Sequence, residues 1–125
     1  MKFSDSLKKN RDFQNVYRRG TSTADKYFVM YALKNGTECN RIGISASKKV
    51  GNSVVRHHMC RLIRESYRLN EKSIKPGYDL VVVVRPLAKG RSYREIESAL
   101  LHLMKLQDLY RELSSENQDE KNLNR

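Results

Sequence analysis

Four consecutive valines, Val81–Val84, limit this chain more than any other stretch. They stand in Tyr78–Arg85, YDLVVVVR, entered through the turn Pro76-Gly77 and closed by Pro86. A strand that is apolar at successive positions, and not only at alternate ones, needs cover on both faces. Upstream, Arg41–Ser47 (RIGISAS) alternates Ile42, Ile44 and Ala46 with Gly43, Ser45 and Ser47, the period of a strand with one buried and one polar face. A helical segment separates the two. Strand, helix and strand in that order predict parallel pairing across a crossover helix.

The intervening helix is unusual in its charge. Lys48–Arg68, KKVGNSVVRHHMCRLIRESYR, holds six lysines and arginines against one acid, Glu65. Asn52 or Ser53 is placed to cap the helix, since either side chain can accept an unpaired backbone N–H. At about 100° per residue, His57, Arg61, Arg64 and Arg68 share one stripe, and Val55, Met59, Leu62 and Ile63 face the other way. Solvated helix faces usually mix signs at i, i+4 spacing. A like-charged stripe repels itself, and an anionic partner removes that cost. Lone Gly51 at the helix entrance is suited to a close backbone approach by a phosphate.

The whole chain agrees with a polyanionic partner. Its 125 residues fit one domain with a modest core, and 38% are hydrophobic. The formal net charge is +11, which points to nucleic acid before an anionic membrane surface. Residues 1–110 carry 22 basic and 10 acidic residues, so the positive charge belongs to the folded part and not to the tail. The longest apolar run, Tyr27–Leu33, is far short of the roughly 20 residues needed to span a bilayer. The start, MKFSDSLKKN, lacks the apolar core of a signal peptide. Cys39 and Cys60 show no metal or disulfide spacing. A reduced, cytoplasmic setting and no membrane association are expected.

The remaining elements follow in order. Asn10–Arg19 is predicted to be a short helix, with Asn10 as its cap and Gly20 as its stop. Phe13, Val16 and Tyr17 share one of its faces among basic residues, and aromatics in such company can stack on bases. Tyr27–Leu33, YFVMYAL, is a strand ending at the turn Asn35-Gly36, and is expected to form a hairpin with Arg41–Ser47. On it, Tyr31 shares a face with Tyr27, Val29 and Leu33. Lys89-Gly90-Arg91 is a basic loop. Ser92 and Glu95 form a capping box for a last helix, whose stripe is Ile96, Leu100, Leu103 and Met104, with Tyr110 near its end. Residues 114–125 are polar and expected to be disordered.

Catalytic groups are hard to assemble. His57 and His58 are adjacent, so on a helix they point about 100° apart and face no common scissile bond. No acidic cluster accompanies them, and Cys60 with the two histidines lacks the paired spacing of a zinc site. No catalytic residue and no protein-bound cofactor or metal is expected. A structural ribosomal-RNA binder and a stand-alone nuclease are the alternatives to a more specialised RNA-binding role.

At this point the chain resembles the protein subunit of bacterial ribonuclease P. That family's helix reads approximately K-K-x-G-x-A-V-x-R-N-x-x-R-R-x-x-R-E, and Lys48, Lys49, Gly51, Val54, Arg56, Arg61, Arg64 and Glu65 fall in register. The likeness extends upstream through L-K-K-x-x-D-F-x-x-V-Y at Leu7–Tyr17 and Tyr31, and downstream to Tyr110, covering roughly residues 7–110. Ser53, His57 and Cys60 depart from the family's alanine, asparagine and basic residue.

The resemblance implies a single α+β domain over residues 1–113, an α/β sandwich in the order helix, three strands, helix, strand, helix. It further implies a mixed four-stranded sheet with a left-handed crossover, similar to a ribosomal-protein domain fold. It implies a subunit of an endoribonuclease whose catalyst is a large RNA carrying Mg2+, acting on precursor tRNA to remove the 5′ leader. By that likeness Lys48, Lys49, Gly51, Arg56, His57, Arg61, Arg64 and Arg68 face the catalytic RNA, or phosphates close to the cleavage site. Phe13, Tyr17, Tyr31 and Tyr110 line a cleft for the single-stranded leader. The departures imply altered RNA contacts around His57 and Cys60 with the role retained. The expected partners are that RNA and precursor tRNA, with no oligomer of the free protein.

Overall fold

The computed structural model describes residues 4–111, so the polar tail expected over 114–125 lies outside the described residues. In chain order the elements are β1 (Ser4–Ser6), α1 (Asn10–Arg19), β2 (Thr21–Ala24), β3 (Phe28–Lys34), β4 (Asn40–Ser45), α2 (Ser53–Asn70), β5 (Tyr78–Val84) and α3 (Tyr93–Leu106). The strands form one mixed sheet in the order β1-β4-β5-β3-β2. The α+β class and the element order agree with expectation. The sheet has five strands and not four, because polar β1 adds in parallel to the outer edge of β4.

The valine strand β5 is the middle of the sheet. It pairs in parallel with β4 and antiparallel with β3. Leu80, Val82 and Val84 face a core shared with α2 and α3, and Val81 and Val83 face α1. Both faces are therefore covered, as a run of valines requires.

The expected hairpin between β3 and β4 does not form, because β5 lies between them. A strand apolar on both faces gains most in the centre, where helices cover both sides and both edges are hydrogen-bonded. β3 instead turns back onto β2, through a bend in which Asp25 Oδ1 accepts from the Tyr27 and Phe28 amides at 2.8 Å. Asn35-Gly36 remains a turn, with Gly36 at φ 73°, but it carries the chain past the start of β5. Asn35 N donates to Gly77 O there at 2.9 Å. Tyr27 precedes β3 in the bend and escapes its alternation, so it is buried with the α2–α3 core and not beside Tyr31.

Each helix follows its apolar stripe. α3 buries Ile96, Leu100, Leu103 and Met104 beneath a complete Ser92–Glu95 capping box. α2 is capped by Asn52, whose Oδ1 accepts from Val55 N at 3.0 Å. It buries Met59, Ile63 and also Tyr67. The Tyr67 hydroxyl meets Ser4 Oγ at 2.6 Å and accepts from Asn40 Nδ2 at 3.2 Å, tying α2 to β1 and β4. α1 starts at Asn10, but the cap residue is Lys9 and makes no side-chain cap bond, so Asn10 is not the cap.

A buried ion pair docks α1 on the sheet. Asp79 on β5 is 2% exposed. It accepts from Arg41 Nε and Nη2 at 2.9 and 2.6 Å and from Asn35 Nδ2 at 3.0 Å. Arg41 Nη1 also reaches Asp12 of α1 at 3.4 Å. One residue on, Phe13 lies over Gly43, where a Cβ would stand 2.5 Å from the ring and 3.1 Å from Leu7 Cβ. Only a residue without a side chain lets the ring settle there.

Two tests follow from this docking. Burial alone would raise the Asp79 pKa, but the bonds from Arg41 and Asn35 and the charge of Arg41 outweigh it and hold the carboxyl below its ordinary value. A depressed carboxylate stabilises the fold above the unfolded pKa of about 3.9 and loses that contribution as pH falls through the folded value. The melting temperature should accordingly decline as pH drops below about 4, with part of the decline absent in Asp79→Asn. At neutral pH Asp79→Ala should cost about 1–3 kcal/mol by removing the acceptor of three part-buried hydrogen bonds; a denaturant midpoint equal to that of the parent would refute the role. Gly43→Ala should cost about 1–3 kcal/mol through overpacking, and an unchanged midpoint would mean Phe13 moves freely.

Candidate nucleic-acid interface

The parallel strands β4 and β5 end on the same side of the molecule, and α1 and α2 both begin near the end of β4. Two grooves meet there. The first, of about 400 Å³, runs between α1 and the sheet and is lined by Lys8, Asn10, Phe13, Tyr17, Ile44 and Ser45. The second, of about 220 Å³, lies between β4 and α2 and is lined by Ile44, Ala46, Ser53, Arg56, His57 and Cys60. Ile44 belongs to both, so the grooves adjoin at that residue from the two faces of the sheet.

The first groove has an aromatic wall. Phe13 and Tyr17 project from adjacent turns of α1 with ring centroids 6.4 Å apart. Tyr31, on the α1-facing side of β3, supports Tyr17 edge-on at 5.0 Å. All three are half-buried, leaving ring surface accessible beside Lys8. Such a surface stacks on bases of a single strand without selecting sequence.

The second groove is cationic. The turn after β4, with Val50 N bonded to Ser47 O at 3.0 Å, buries Val50 and leaves Lys48 and Lys49 exposed. Gly51 follows, where a Cβ would stand 2.8 Å from Val55 Cγ1, so its lack of a side chain lets the chain pass tightly over the first turn of α2. Arg56 is half-buried, and its Nε is shielded from solvent without a hydrogen-bond partner. A buried donor left unpaired costs on the order of 1–3 kcal/mol, and an anion in the groove would supply its acceptor. Burial raises the Cys60 pKa despite Arg64 and Arg56 nearby, so its thiol adds no charge.

Along α2, His57, Arg61, Arg64 and Arg68 are all exposed on one flank. Arg61 and Arg64 have no carboxylate partner among the described residues. Arg68 does: its Nε donates to Glu65 at 3.1 Å, and the hydrogen bond and charge of Arg68 lower the Glu65 pKa. The unpaired arginines of the stripe are therefore Arg61 and Arg64, which continue along α2 from the groove residues Arg56, His57 and Cys60.

The structure thus brings Phe13, Tyr17 and Tyr31 together, and sets Lys48, Lys49, Gly51, Arg56 and His57 beside them. Tyr110 does not join the aromatic set. It follows α3, forms an isolated bridge with Ile74 and packs on the α2–α3 core, with Lys105 5.3 Å from its ring centre. The sequence gives Lys8 only as part of the charge around the aromatic face, and Ile44 and Ser45 only as strand residues, because their part here depends on α1 crossing the end of β4. Among the described residues no group of three or more His, Cys, Asp or Glu side chains could hold a metal ion. No helix among them is long and apolar enough to cross a membrane.

Comparison with known proteins agrees with this geometry. A family model described as Ribonuclease P matches residues 1–107. The ribonuclease P protein component of Lachnoclostridium phytofermentans is 59% identical over 103 residues, covering 82% of this chain and 89% of that protein. That of Clostridium novyi is 49% identical over 112 residues, covering 88% and 99%. Among solved structures, the Staphylococcus aureus RNase P protein superposes with a TM-score of 0.80 at 36% identity, covering 86% of this chain and 98% of that one. The Thermotoga maritima RNase P protein gives 0.76 at 31%, covering 81% and 96%. By the family model, by relatives matched over nearly their full length and by the shared fold, this chain belongs to the ribonuclease P protein component family.

Proposed function

We propose that this protein binds the catalytic RNA of ribonuclease P through Lys48, Lys49, Arg56, His57, Arg61 and Arg64, and binds the 5′ leader of precursor tRNA along Phe13, Tyr17 and Tyr31. The single observation carrying this reading is that the aromatic and cationic grooves adjoin at Ile44. In this reading a single strand leaving the aromatic wall crosses the end of β4 onto the groove that holds Arg56 and His57. Stacking holds the leader without reading its sequence, and the cations neutralise phosphates at the junction.

In this reading the protein carries no catalytic residue, and bond cleavage with its Mg2+ is the work of the RNA. The protein's task is to lower the electrostatic cost of bringing two RNAs together. It acts in the cytoplasm, and one copy suffices. Family membership sets aside the alternative of a structural ribosomal protein. A stand-alone nuclease is disfavoured by the exposed, diverging His57 and His58, which have no acidic cluster beside them.

Reconstitution with a ribonuclease P RNA at low Mg2+ is the decisive experiment: addition of the protein should restore leader removal, and failure to do so would overturn the reading. Phe13→Ala should weaken precursor tRNA binding to the holoenzyme by about 1–3 kcal/mol, the worth of one stacked base. Mature tRNA should be unaffected, and an equal loss for both would remove the leader assignment. For Arg61→Ala/Arg64→Ala, the slope of log affinity for the catalytic RNA against log salt should fall by about 2, near 0.9 per phosphate contact. A parental slope would show that the α2 stripe does not face phosphate.

A further inference from the structure

The acids and bases of α3 are distributed as unevenly as those of α2. Arg94, Ser98 and His102 follow at i, i+4 and i+8, and all are exposed. Arg91, just before the helix, continues the same line. Both acids of α3 are already engaged by neighbours, although Glu95 stays exposed at the groove. Glu95 closes the capping box, with Arg91 3.8 Å from its Oε2. Glu97 accepts from Tyr93 Oη at 2.9 Å and from Asn70 Nδ2 of α2 at 3.0 Å. Arg94 has no carboxylate partner among the described residues.

This line faces the bend between β2 and β3 across a groove of about 440 Å³, lined by Asp25, Lys26, Tyr27, Arg94, Glu95, Ser98 and His102. The bend is fixed in place. Asp25 Oδ1 is saturated by two backbone amides, and Arg85 Nη1 donates to Asp25 O at 2.8 Å. Lys26 Nζ and the Arg91 guanidinium sit 5.2 and 5.5 Å from the centre of the Tyr27 ring. That cation–π arrangement orders Lys26 in the groove and Arg91 beside it. It also covers the ring, which is only 8% exposed and so cannot stack on a base. The groove therefore sets Lys26, Arg94 and the Ser98 hydroxyl beside two carboxylates already engaged, Asp25 by backbone amides and Glu95 by its cap and Arg91, without an aromatic platform, which suits sugar–phosphate backbone read without regard to sequence.

Its position separates it from the interface above. The strand order β1-β4-β5-β3-β2 puts the α2 groove on the β4 side and this one on the β2–β3 side, so the two lie on opposite flanks of the helical layer. The aromatic groove lies across the sheet, on the α1 face. We infer that Lys26, Arg91 and Arg94 form a second phosphate-binding surface, which holds a segment of the catalytic RNA separate from the one on α2. This rests on the proposed role as a subunit bound to that RNA, and it extends the contact from one flank to two.

The test uses the full-length protein and the catalytic RNA alone, without tRNA. Lys26→Ala/Arg94→Ala, with folding checked by circular dichroism, should reduce the salt slope by about 1.4–1.8, from 0.7–0.9 per phosphate. Ser98→Glu, which removes no cation, should weaken binding by placing a negative charge in the groove. Hydroxyl-radical footprinting should show two protected RNA segments, of which the double variant loses one and Arg61→Ala/Arg64→Ala the other. A parental slope or an inert Ser98→Glu overturns the second surface. If Arg61→Ala/Arg64→Ala still lowers the slope in that case, the subunit reading survives; if neither pair does, both fall. A loss seen only when precursor tRNA is present overturns the assignment to the catalytic RNA.

Discussion

Everything in this protein hangs on β5 being covered from both sides. A strand with valine at four successive positions loses most of its hydrophobic stabilisation if either face meets water, at about 25 cal/mol for each Å² of apolar surface. α1 must therefore lie on one face and α2 with α3 on the other. β4 and β3 take its two edges. Once that is settled, the carboxyl ends of β4 and β5 open on one side, and the elements that follow or cross them deliver their side chains to a common place.

The polar interactions within the fold serve the same arrangement. Asp79 is the one acid on β5, and its burial is tolerated because Arg41 and Asn35 saturate it. Arg41 then reaches Asp12, so the same pair that satisfies the sheet also fixes the register of α1. Gly43 sets how close Phe13 comes to β4. Asn40, Tyr67 and Ser4 do on the α2 side what Arg41 does on the α1 side. The aromatic groove and the basic helix are thus each fastened to β4 by its own short chain of hydrogen bonds.

Charge is managed differently from packing. Most acids of the described residues are spent on structure: Asp25 in a bend, Glu95 in a cap, Asp79 and Asp12 with Arg41, Glu65 with Arg68. The cations left over are grouped on surfaces and not scattered. Such a protein stores electrostatic repulsion that a polyanion relieves, so affinity and its salt dependence come from one source. The two flanks of the helical layer differ chiefly in what accompanies the charge. On α2 it adjoins an aromatic groove, and beside α3 Lys26 and Arg91 cover the Tyr27 ring they sit on.

By itself the sequence determined the strands β3, β4 and β5, the three helices, their apolar stripes and the basic face of α2, because period and composition are local properties. It also carried the α3 capping box and the parallel β4–α2–β5 unit. Its residue patterns did not reveal β1 or β2, though the resemblance called for a third strand between the first two helices, since Ser4–Ser6 and Thr21–Ala24 are short, polar edge strands whose only reason to be extended is a neighbour. It favoured a hairpin between β3 and β4, because nearness along the chain is visible in a sequence and competition for the centre of a sheet is not. Tyr27 and Tyr110 were misplaced for the same reason: a bend breaks the alternation of one, and the end of α3 carries the other away from the aromatic groove. Tertiary structure alone decided that the groove of Phe13 and Tyr17, backed by Tyr31, should adjoin that of Arg56 and His57 at Ile44. Residues this far apart in the chain come together only because β5 is buried on both faces and must have α1 on one and α2 on the other.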